Sequence, residues 1–126
     1  MTPVKVAIIE DELSISELYK TKFEHEGFSV VTAANGSDGL KVIKKAEPAV
    51  VLLDLRMPGM SGDEMLAKLR ATEWGASIRV IILTNLSRDE APSSLRFLGV
   101  SRYVIKAHYT PSQVVQITRE VLNLPH

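Results

Sequence analysis

The sequence predicts a doubly wound α/β domain built on a five-stranded parallel sheet. Three observations carry that prediction. Short apolar runs alternate five times with segments of helical spacing; the first, third and fourth runs are almost continuously apolar; and the runs stop at polar residues. Regular alternation of strand and helix implies right-handed crossovers. These place helices on both faces of the sheet, so the central strands have no solvent-facing side to carry polar residues.

Val4 to Ile9 is mostly apolar and ends in Glu10, Asp11 and Glu12, a buried strand emptying into a polar loop. Residues 13 to 26 set Ile15, Leu18, Tyr19 and Phe23 near helical spacing, with Gly27 as the stop. Phe28 to Ala34 reads as the second strand, and Asn35 caps a helix that turns Leu40 and Ile43 inward before Pro48 ends it. Ala49 to Leu53 is the third strand, stopped by Asp54. Ser61 then opens S-G-D-E, a capping box with Glu64, ahead of a helix with Met65 and Leu69 on its apolar face. Ile78 to Leu83 is the fourth strand, ending at Thr84. A second box, S-R-D-E from Ser87, predicts a fourth helix with Leu95 and Leu98 inward, Pro92 near its first turn and Gly99 at its stop. Arg102 to Ile105 is the fifth strand, and Thr110, Pro111 and Gln113 cap a fifth helix carrying Val114, Ile117, Val121 and Leu122.

The 126 residues suit one domain over residues 1–126, with no linker or low-complexity stretch and enough chain to bury a core without disulfides. The absence of cysteine removes disulfide frameworks, thiolate catalysis and cysteine-ligated zinc, and suits a reducing compartment, so the cytoplasm is the expected location. Fifteen basic and fifteen acidic residues cancel, so direct DNA binding is not expected. The N-terminus lacks a signal-peptide pattern, and no apolar run approaches the ~20 residues of a membrane helix. His25, His108 and His126 suggest neither a metal cluster nor a triad.

Such sheets bind ligands beyond the carboxyl ends of their strands, where strand order reverses. The polar residues at those ends are Glu10 and Asp11, Asp54, Thr84 and Lys106. In the order 2-1-3-4-5, one of the two common arrangements, they face one crevice. A lone strand-end aspartate is more often a turn or cap residue than a nucleophile, but three carboxylates together repel one another and call for a proton or a cation between them. Oxygen donors favour a hard cation, and Mg²⁺ typically joins one or two carboxylates with a phosphate oxygen. Asp54 is then the candidate nucleophile toward phosphorus, with Lys106 and the Thr84 hydroxyl as donors to phosphoryl oxygens.

The blocks I-I-E-D-E, L-D-L-R-M-P-G-M-S-G, L-T-N and G-V-S-R-Y-V-I-K stand in order at the usual separations. Through them the chain resembles response-regulator receiver domains over nearly its whole length. The resemblance implies a flavodoxin-like (βα)₅ fold and a regulatory domain of bacterial two-component signalling that catalyses its own phosphotransfer and dephosphorylation. It implies Asp54 as acceptor of a phosphoryl group from a sensor histidine kinase or phosphotransfer protein, with Lys106 contacting that group. Asp11 would be a direct Mg²⁺ ligand, Glu10 would act mainly through water, and Arg56 would contribute its carbonyl. Thr84 and Tyr103 would form a coupled switch, read by a protein partner at the face of the fourth helix, fifth strand and fifth helix.

Some positions depart from the family pattern. Proline usually follows the lysine, commonly on a cis peptide, but Ala107 stands here. A cis bond without proline costs about 2.5–4 kcal/mol, so a trans bond or a reshaped loop is expected. Asn85 is larger than the small residue usual after Thr84. Arg56 and Leu86 occupy positions that tune water access to the acyl phosphate. G-V-S-R-Y lacks the paired aspartates of the dimerising DNA-binding subfamily, so a monomer is expected. Since the sequence ends at its fifth helix, output through a partner protein is expected, although a receiver within a longer protein would read the same. A haloacid-dehalogenase-type phosphatase would need a second aspartate where Arg56 stands, and no nucleotide-binding glycine loop follows the first strand. The remaining alternative is a receiver-like module that binds its partner without phosphorylation.

Overall fold

A computed structural model describes residues 2–125, leaving Met1 and His126 outside the described residues. Its elements are β1 (Lys5–Ile9), α1 (Leu13–His25), β2 (Ser29–Ala33), α2 (Gly36–Ala46), β3 (Val50–Leu53), α3 (Gly62–Arg70), β4 (Arg79–Thr84), β5 (Val100–Ile105) and α4 (Pro111–Val121). Two 3₁₀ turns flank β5, at Ser93–Phe97 and Lys106–His108. The strands form one parallel sheet, as the alternation predicts, in the order β2-β1-β3-β4-β5, the one of the two common arrangements that is expected for a flavodoxin-like fold.

Successive residues of a strand point to opposite faces, and here both faces are covered. Val6, Ile8, Leu52 and Ile81 lie under Tyr19 and Phe23 of α1 and Val114, Val115 and Ile117 of α4. Ala7, Ile9, Val51, Leu53, Val80 and Ile82 lie under Ile43 of α2 and Met65, Leu66 and Leu69 of α3. Each fully buried aliphatic side chain contributes about 1.5–3 kcal/mol relative to exposure, which makes the three central strands the stable frame of the site.

The register decides what that frame presents. Ile9 lies beside Leu53, and Leu53 beside Ile82. Glu10 and Asp54, each one residue further on, therefore leave the sheet side by side, held by Glu10 N–H donating to Ala33 O at 3.0 Å and Asp54 N–H to Ile9 O at 3.1 Å.

The predicted fourth α-helix does not form. The Ser87 box makes both of its bonds, Ser87 N–H to Glu90 Oε1 at 2.9 Å and Glu90 N–H to Ser87 Oγ at 3.3 Å, yet only a turn follows. With Ser87 as cap, Pro92 is the fifth helical position rather than a first-turn residue. There its missing N–H removes the bond to Arg88 O and its ring meets that carbonyl, while Ala91 before it is pushed away from helical angles. Pro92 is extended, with φ −58° and ψ 135°, and the chain resumes only as the 3₁₀ turn. Leu95 still reaches the core and Leu98 lies partly buried against it, so the two leucines face inward without a helix to carry them.

The boxes at the other helices differ as well. Thr110 and Gln113 complete theirs at α4. At α3, Ser61 Oγ instead donates to the Glu64 side chain at 2.9 Å, and Ser61 makes no side-chain bond to the helix backbone. Among the described residues no peptide bond is cis, so Lys106–Ala107 is trans, as the absence of proline predicts. No helix of the described chain is long and apolar enough to cross a membrane.

Candidate functional site

Because β1 and β3 end abreast, their terminal carboxylates meet. Glu10 and Asp54 are buried and Asp11 is half-buried, and one carboxylate oxygen from each lies within 4.8 Å of the others. From the end of β5, Lys106 reaches across so that its Nζ donates to Asp54 Oδ2 at 3.0 Å and to Glu10 Oε1. The other oxygens take backbone donors: Arg56 N–H reaches Asp54 Oδ1 at 3.3 Å and Glu12 N–H reaches Glu10 Oε2 at 3.3 Å. Four of the five predicted strand-end residues thus share one cluster, and the Arg56 backbone adjoins it.

Thr84 is buried at the end of β4, and its hydroxyl is held locally, accepting from Leu86 N–H at 3.4 Å. Tyr103 is turned toward the loop after β4, its hydroxyl 2.8 Å from Leu86 O and 3.2 Å from Ser87 O, with Arg88 over its ring at 5.6 Å. The predicted switch pair therefore meets at one residue, Leu86, whose N–H and carbonyl each serve one member. Sequence reasoning did not find that link, because it consists of backbone groups.

The charge balance in the cluster is uneven. Burial is the largest influence on Glu10 and raises its pKa from 4.5 to about 7; the Asp54 charge adds to the rise, and Lys106 and the Glu12 amide oppose it. Burial also opposes the charge on Lys106, but Glu10 and Asp54 outweigh it and hold the ammonium above the ordinary lysine range. One ammonium does not neutralise three carboxylates, so the cluster retains room for a proton or a cation.

A pH dependence follows. The Glu10 pKa lies above its unfolded value, so its contribution to stability is fully present below pH 4.5 and is lost as pH rises through about 7. In EDTA, urea unfolding should show the protein weakening across that window. Glu10→Gln should flatten the decline and stabilise the ion-free fold above pH 7 by about 1–3 kcal/mol. Parallel curves for wild type and variant would mean that Glu10 is ionised in the folded chain.

Two contacts that the sequence did not reveal complete the surroundings. Asn85 Oδ1 accepts from Ala107 N–H at 3.1 Å. Gly62, at the start of α3, lies so close to the Asp54 backbone that an added Cβ would come 2.2 Å from Asp54 O.

The family model for the response regulator receiver domain matches residues 6–119. Sporulation initiation phosphotransferase F of Bacillus subtilis is 39% identical over 102 residues, covering 81% of this chain and 81% of that protein. The uncharacterized transcriptional regulatory protein YkoG of Bacillus subtilis is 38% identical over 103 residues, covering 80% of this chain but 43% of its own length. A response regulator receiver domain protein (CheY-like) from Methanospirillum hungatei JF-1 superposes with a TM-score of 0.86 at 26% identity, covering 97% of this chain and 95% of that one. The chain spans about half the length of the transcriptional regulators that it matches.

Proposed function

The chain belongs to the response-regulator receiver family, and from that premise we propose that it is a phosphorylation-dependent switch whose phosphoacceptor is Asp54. The observation that carries this reading is the meeting of Asp54 with Glu10, Asp11 and Lys106 at the carboxyl end of the sheet. An oxygen-only donor set with excess negative charge fits Mg²⁺, which Asp11, Asp54 and the Arg56 carbonyl would hold directly and Glu10 through water. When bound, Mg²⁺ supplies the positive charge that the transferring phosphoryl oxygens need.

The chain's own groups do the rest. An Asp54 carboxylate oxygen forms a bond to phosphorus as the bond from phosphorus to the donor breaks. For a histidine kinase or phosphotransfer protein, the leaving pair stays on the imidazole nitrogen, which takes up a proton. Lys106 and the Arg56 N–H already sit on the two Asp54 oxygens and orient the carboxylate. Once Asp54 is modified, Lys106 binds a phosphoryl oxygen as a point charge and the Thr84 hydroxyl binds another. Turning Thr84 releases Leu86 N–H, and the same peptide segment holds Tyr103, so the contact shifts the population of the loop after β4. A partner protein would read the change at the Ser87–Phe97 segment, β5 and α4, with the domain acting as a monomer in the cytoplasm.

The test is intact mass after incubation with acetyl phosphate. One phosphoryl adduct should appear with Mg²⁺, map to Asp54 and vanish when EDTA replaces the metal. No adduct on folded protein, with a competent receiver labelled in parallel, would move the assignment to a module that binds its partner without phosphorylation.

A further inference from the structure

Asn85 and Ala107 follow the paired ends of β4 and β5, where Thr84 lies opposite Ile105. Ala107 sits in the 3₁₀ turn Lys106–His108, whose backbone bond runs from Tyr109 N–H to Lys106 O. The first amides of such a turn have no partner within it. Ala107 N–H is one of them, and Asn85 Oδ1 accepts from it at 3.1 Å across 22 residues of sequence. Both residues are exposed, so burial does not dictate this meeting.

Resting on the switch reading above, we propose that Asn85 is a positioning residue for Lys106. Its side chain clasps the loop after β5 to the loop after β4 through Ala107 and thereby fixes the backbone from which Lys106 reaches Asp54. An alanine at position 107 leaves that backbone rotatable and leaves an N–H in need of an acceptor. A proline there would restrict the rotation and delete the N–H. Asn85 meets both needs by another route, so the two residues act as a unit. The Lys106 ammonium rides on a flexible four-carbon stem, and a root that moves spreads its positions over the cluster. The clasp narrows that spread where Lys106 must hold first Asp54 and then a phosphoryl oxygen.

A double-mutant cycle on the full chain tests this. The initial rate of adduct formation with acetyl phosphate and Mg²⁺ is measured for wild type, Asn85→Ala, Ala107→Pro and the double variant, with melting temperatures recorded for each. Hydrogen exchange at Ala107 N–H is followed by NMR in the unphosphorylated wild type and Asn85→Ala. Loss of one exposed hydrogen bond should slow labelling by about 2- to 10-fold when Ala107 is present and leave it unslowed in the Ala107→Pro background. Ala107 N–H should exchange faster by a similar factor, with the melting temperature of Asn85→Ala near that of wild type. An equal change in both backgrounds, or unaltered exchange at Ala107, would overturn the proposal. A wild-type chain that takes no phosphoryl group would sink the switch reading instead, and the exchange experiment would then decide the clasp alone.

Discussion

An Asp54→Ala chain treated with acetyl phosphate and Mg²⁺ should stay at its unmodified mass, a loss of labelling of at least about 100-fold. Glu10 and Asp11 are carboxylates in the same cluster, so the prediction is a specific one. Glu10 is buried, with the Lys106 ammonium on one oxygen and the Glu12 N–H on the other, and its proposed place is at the metal through water. Asp11 is more exposed, and no side-chain bond from Lys106 reaches it. Asp54 follows β3, the middle strand of the sheet, and so lies between the carboxylates after β1 and Thr84 of β4, with Lys106 on one oxygen and the Arg56 N–H on the other. The fold should survive the substitution, because Lys106 keeps Glu10 as partner and no buried charge is orphaned. Removing one of three crowded carboxylates also relieves repulsion, so the melting temperature of the ion-free variant should hold or rise. A variant that labels at the wild-type rate, or an adduct mapping to Glu10 or Asp11 in the wild type, would place the acceptor elsewhere.

The sequence carried the sheet because burial on two faces leaves a pattern that few other environments leave. Val50 to Leu53 and Val80 to Leu83 are unbroken apolar runs, and both are buried throughout. The carboxylate cluster was legible for a related reason: an abrupt stop after such a run marks a strand end, and the sheet order then brings the ends together. The fourth helix shows the limit of local signals. A complete capping box at Ser87 states where a helix can begin, whereas propagation past the first turn depends on Pro92, which stands beyond the first-turn positions where proline is tolerated. The Ser61 box had the opposite fate: its side chains bond each other, and α3 forms because Met65, Leu66 and Leu69 are fully buried. Links made through backbone atoms were out of reach. Leu86 joins Thr84 to Tyr103 with its N–H and carbonyl, which every residue but proline possesses, so nothing in its side chain announces the role.

Gly62 is the second position where a large effect is expected, and it too was hidden because the contact is with backbone. Its N–H donates to Leu55 O at 3.0 Å, which draws the start of α3 onto the segment that carries Asp54. A Cβ there would lie 2.2 Å from Asp54 O and 2.8 Å from Leu55 Cα, and neither atom can swing aside as a side chain would. Moving α3 instead would disturb three fully buried side chains. Gly62→Ala should therefore cost about 2–4 kcal/mol in urea unfolding. Its labelling rate should fall further than the folded fraction does, since a displacement of about 1 Å at a reacting group can cost on the order of 100-fold. Gly59 is the control. Its φ of +77° makes alanine strained, but nothing lies within 4 Å of the added carbon. Gly59→Ala should lose about 1–2 kcal/mol and keep its labelling rate per folded molecule. If both variants labelled at the wild-type rate once corrected for unfolding, the close approach of α3 would be a stability contact alone, and the position of Asp54 would be set by β3 and its neighbours in the sheet.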